Sequence, residues 1–110
     1  MDAIITITTT ADSREALEHI GRRLLTKRLI ACIQIVGPIK SLYWWKENME
    51  EAEEWLGIMK TREPLYREAE AEIVALHPYE VPEVIGIEPV EVLTTYAQWV
   101  CEETKMGQTT

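Results

Sequence analysis

The segment His77–Glu83 reads HPYEVPE and puts an imidazole, a phenol and two carboxylates within seven residues. Imidazole suits copper and zinc, and carboxylates can complete such a site, so His77 with Glu80 or Glu83 could hold Cu2+ or Zn2+. No HxxxH, CxxC or EF-hand spacing accompanies them. The residue types also allow a purely structural role. An imidazolium at the end of a helix favours the negative end of the helix dipole, and Pro78 and Pro82 fix the turn that follows. His19 has no partner at ligand spacing. Five glutamates in the eight residues from Glu47 to Glu54 could attract divalent cations, but no glycine shapes a calcium loop there. Lys60 and Tyr79 could meet Glu80 in a cleft between subunits, with Lys60 as the charge and Tyr79 and Trp44 as walls for a small polar ligand. Equally, Lys60 could pair with a glutamate while Tyr79 packs an interface.

No nucleophile with its base is visible, no GxSxG occurs, and the five glycines are isolated rather than gathered in a phosphate-binding loop, so no enzyme is expected. The net charge of −8 argues against a nucleic-acid partner, which needs a basic face. No apolar run approaches the roughly 18 residues of a membrane span. Cys32 and Cys101 form no CxxC pair, and MDAIITITTT lacks a signal-peptide pattern, so reduced thiols and a cytoplasmic location are expected.

The elements that must position these groups follow from periodicity. At 110 residues, 46% of them apolar, the chain is expected to be a single domain, with its core at about 3–105 and a frayed tail at 106–110. Residues 3–9 (AIITITT) predict a central strand buried on both faces. Asp12 and Glu15 resemble a capping box opening a helix over 13–27, with Ile20 and Leu24 inward. Residues 29–36 predict a second strand, bent at Gly37-Pro38 and resuming from Ile39 to Lys46. A turn at Glu47 to about Met49 leads to a third strand over Glu53–Thr61. Pro64 suits the first turn of a second helix, whose apolar stripe is Leu65, Ala69, Ile73 and Leu76. Val84–Glu88 predicts a fourth strand. Thr95 and Gln98 predict the cap of a last helix, with Tyr96, Trp99 and Val100 inward. The order βαββαβα implies an antiparallel four-stranded sheet with the helices on one face: an α+β, ferredoxin-like fold with a long β2–β3 hairpin.

That hairpin concentrates the chain's aromatic surface. Side chains alternate faces along a strand, so Tyr43 and Trp45 point one way and Leu42 and Trp44 the other. With Trp55 on the returning arm, both faces are apolar beside a glutamate-rich tip. Such a patch marks an interface, expected to be covered by further copies of the same chain at Tyr43, Trp44, Trp45 and Trp55.

ACIQIVGPIKSLYWW (Ala31–Trp45), the MKT of Met59–Thr61 and HPYEVPE together resemble the CutA-type divalent-cation tolerance proteins, over nearly the whole chain. The resemblance implies a ferredoxin-like fold assembled as a tight homotrimer, similar in architecture to PII signalling proteins, and a role in tolerance of copper and other divalent metals. Copper binding in some members is credited to a thiol near the end of the first strand and to two adjacent histidines. Here those positions hold Thr9 and the pair Leu76-His77, while Cys32 matches the family's AC position. No cofactor is required, and a divalent metal is the only one the residues suggest. Three functional readings follow: a metal-linked trimer, a PII-like sensor binding a small anion between subunits, or an assembly protein whose partner reads Glu50–Glu54.

Overall fold

A computed structural model describes residues 1–106; the rest of the expected 106–110 tail lies outside the described residues. Four strands form one sheet in the order β2-β3-β1-β4. β1 (Ile4–Ala11) lies at its centre, antiparallel to β3 (Asn48–Arg62) on one side and to β4 (Ile85–Ile87) on the other. β-Branched isoleucine and threonine suit this doubly flanked position. One face of β1 presents Ile5 and Ile7 to α1 (Arg14–Thr26) and α2 (Tyr66–Leu76), where they pack with Ile20, Leu24, Leu29, Met59, Leu65 and Ile73. A 3-10 turn over Glu63–Leu65 carries Pro64 and precedes α2.

The third helix corrects the one-face expectation. Ile4 alternates with Ile5, and it is Ile4 that packs with Ala97 and Val100 of α3 (Thr94–Glu103). α3 therefore covers one end of the sheet's second face, opposite α1 and α2. No strand follows α3, so no crossover rule constrains its side. The buried Arg62 ties it down, donating from Nε to Thr104 Oγ1 (3.0 Å), from Nη2 to the Thr104 carbonyl (3.3 Å) and from Nη1 to Asp2 (3.1 Å). Tyr96 and Trp99, expected inward, are exposed; Ala97 and Val100 make the contact. Neither expected cap forms as drawn. The α1 cap is Ser13, whose hydroxyl accepts from the Ala16 N–H, and α3 has no side-chain cap bond.

β2 is one strand, Cys32–Trp45, rather than two, with a bulge between Val36 and Ile39 where Gly37 and Pro38 fall out of register. The bulge has a steric logic. A Cβ on Gly37 would lie 2.2 Å from Trp55 Cδ1, so the indole passes over the glycine backbone. The hairpin turn is tighter than expected, because the glutamate run pairs with the aromatic arm up to Trp45 and Asn48. Lys46 and Glu47 form the loop with φ of 47° and 71°, the left-handed pair that a two-residue hairpin turn requires. The hairpin draws the molecule out to 45 Å in a body otherwise 27 Å by 23 Å.

Candidate functional site

Beyond the point where β4 pairs, the segment His77–Glu83 lies along β1, held there by side chains. His77 closes α2 and is buried. Its Nε2 donates to the Thr10 carbonyl (2.8 Å) and its Nδ1 accepts from the Tyr79 N–H (3.1 Å), an arrangement that needs the neutral Nε2–H tautomer. The imidazole thus latches the loop to the β1 edge. Glu83 accepts from Thr8 Oγ1 (3.0 Å), and Tyr79 Oη donates to Glu54 Oε2 (2.5 Å). Burial, and then the hydrogen bond to Glu54, push the Tyr79 phenol well above its ordinary range.

The expected metal set does not fit this geometry. Both ring nitrogens of His77 are engaged, so no lone pair remains for an ion. Glu80 reaches outward to Lys46 at 3.9 Å, while Glu83 is tied to Thr8. Among the described residues no three His, Cys, Asp or Glu side chains are grouped to hold a metal. Thr9, at the position of the family's thiol, is buried among the helices with an unpartnered hydroxyl.

The loop and the hairpin enclose an open groove of about 930 Å3. Its walls are Ile39, Tyr43, Trp44 and Trp45 from the hairpin and Tyr79 and Val81 from the loop; its carboxylates are Glu54, Glu80 and Glu83. Lys60 does not join Tyr79 there. It stands further along the sheet, opposite Thr6 and Cys32, where it donates to Gln34 Oε1 rather than to a glutamate. Cys32 is half-exposed with Sγ 3.7 Å from Tyr96 Oη, and both cysteines are free. His19 is on the surface. Of the aromatic set, Trp55 is half-buried against Gly37 in its own chain, whereas Tyr43, Trp44 and Trp45 are exposed. Glu54 was not legible in the sequence: it sits in the glutamate run yet is only 7% exposed, because it faces Ile39 and lies beneath Tyr79.

The family model of the CutA1 divalent ion tolerance protein matches residues 5–103. The chain belongs to that family. It is 40% identical over 102 residues to the divalent-cation tolerance protein CutA of Pyrococcus horikoshii, covering 93% of this chain and 99% of that one. The Thermotoga maritima protein of the same name is 42% identical over 99 residues, covering 90% and 96%. Among solved structures, the divalent ion tolerance protein CutA1 of Ehrlichia chaffeensis superposes with a TM-score of 0.92 at 34% identity, covering 96% of this chain and 99% of that one. The α+β fold is thus the family's own.

Proposed function

We propose that the chain acts without catalysis, as a divalent-cation tolerance protein in the form of a homotrimer whose copies meet on the hairpin. The assembly reading rests on one strip. Leu42, Trp44 and Met49 are 66%, 69% and 70% exposed, and the strand register places all three on the same hairpin face. An apolar strip of this kind on a protruding arm suits a protein partner, and a copy of the chain supplies the matching surface. The number three comes from the family resemblance. Divalent ions are taken up loosely by carboxylates, without His77, and no bound cofactor is required. Two free thiols fit a cytoplasmic, reducing setting.

The test is Trp44→Glu, which puts a charge in the middle of the strip without touching the core. The native mass should fall to that of one chain while the far-ultraviolet circular dichroism is kept. An unchanged mass would refute the role given to this face.

A further inference from the structure

The sheet's second face carries two opposite charges that find no ionic partner in their own chain. Strand register puts Ile4, Thr6 and Thr8 of β1 on that face, opposite Arg62, Lys60 and Ile58 of β3. Glu54 follows on the same face by two-residue alternation. It is buried, lines the groove, and accepts only from the neutral Tyr79 hydroxyl. Lys60 is half-buried and donates to the neutral amide oxygen of Gln34. Among the described residues neither Glu54 nor Lys60 forms an ion pair.

The two cannot satisfy each other within one chain, because six residues of extended strand hold them about 20 Å apart. The surface around them is apolar. Val36 of β2 and Ile85 and Ile87 of β4 are about half exposed on this face, and Leu56 and Ile58 lie between the two charges. α3 covers only the Ile4 end. A bare apolar face with one unpaired charge of each sign complements itself. A second copy displaced along β3 covers the apolar surface and brings its own ammonium to the waiting carboxylate. Covering the face without that match would bury two uncompensated charges, which is costly. The groove also suits a lysine side chain, since Tyr43 and Trp45 give its methylenes and ammonium aromatic walls. Lys46 shows the same contact within the chain, its ammonium 5.5 Å from the Trp45 ring centroid.

We propose that in the assembled protein Lys60 of each copy enters the groove of a neighbouring copy and pairs there with Glu54. The groove is then a socket between subunits, completed by a residue that its own chain cannot supply. This rests on the assembly proposed above, and it adds the sheet's second face to the hairpin strip as a joining surface. In a closed ring each copy gives Lys60 to one neighbour and receives at Glu54 from the other.

The experiment is a double-mutant cycle on assembly, with Glu54→Gln, Lys60→Gln and the two combined. Light scattering at one fixed, moderate urea concentration reads the chain concentration at half-dissociation. Each single change should raise it about tenfold or more, the loss of a charge-assisted hydrogen bond. The double change should raise it little further, because either change alone already breaks the pair. Positions about 20 Å apart in one chain act independently, so single effects that multiply in the double variant would overturn the pair, as would no effect of either. A second measurement does not depend on stability. With Cys32→Ser and Cys101→Ser as background, Glu54→Cys and Lys60→Cys are combined and treated with a bismaleimide too short to join the two positions of one strand. Species of two and three chains on a denaturing gel are expected; single-chain bands alone would overturn the pair. The native mass of the parent keeps the two levels apart. A parent of one chain's mass sinks the assembly and the pair together, whereas an assembled parent that fails the cycle or the cross-linking sinks the pair alone.

Discussion

Replacing His77 with alanine separates two roles that one imidazole could have. As a latch, the side chain makes two hydrogen bonds, to the Thr10 carbonyl and from the Tyr79 amide, each contributing about 1 kcal/mol net. The buried ring adds roughly another 1 kcal/mol of apolar burial. Losing all three should lower unfolding free energy by about 3 kcal/mol, and for a domain of this size the thermal midpoint by on the order of 10 °C. Urea unfolding of parent and variant at one fixed chain concentration measures this, because the proposed self-association would make stability depend on concentration. Titration with Cu2+ and Zn2+ completes the comparison: the latch leaves divalent-ion uptake unchanged in the variant. Stability within about 0.5 kcal/mol of the parent, the range of an ordinary surface substitution, together with loss of a saturable metal isotherm, would refute the latch and restore His77 as a ligand.

Further outcomes follow from single contacts. Thr9→Val removes a buried hydroxyl that has no partner and should raise unfolding free energy by about 1 kcal/mol; a loss would mean that the hydroxyl is bonded. Gly37→Ala should cost about 1–3 kcal/mol through the clash with the Trp55 ring, read as a lower urea midpoint at unchanged slope, and no change would mean that the indole moves aside freely. Glu47→Gly frees the loop residue at φ 71° from left-handed strain and should stabilise by about 1 kcal/mol; destabilisation would contradict the turn geometry. The raised Tyr79 phenol favours the neutral form in the fold. Its stabilisation is complete below the ordinary tyrosine value of about 10 and is lost as pH rises through the higher folded value. Tyr79→Phe should therefore flatten the alkaline limb of the stability profile, and an identical limb in both proteins would count against that assignment.

Much of this architecture is legible in the sequence because local pattern and global position agree. The isoleucine and threonine run of β1 suits a central strand, and the stripe Leu65, Ala69, Ile73 and Leu76 faces one core. The failures share a physical cause. α3 is ten residues long with apolar groups on several sides, so its own pattern could not say that Ala97 and Val100, rather than Tyr96 and Trp99, meet the sheet. Adjacent Asp12 and Ser13 both make good caps, and only backbone geometry chose the serine. Glu54 looks like one more solvated glutamate until the Tyr79 loop closes over it. Lys60 and Tyr79 stand near each other in motif but not in space, because β3 register sets Lys60 against Thr6 while the loop lies past β4.

The proposed assembly joins copies of the chain at the exposed hairpin strip. Native mass by light scattering coupled to size exclusion, at micromolar concentration, tests it most directly. A mass three times the 12.7 kDa of one chain is the predicted result, and a single species at 12.7 kDa would contradict the claim.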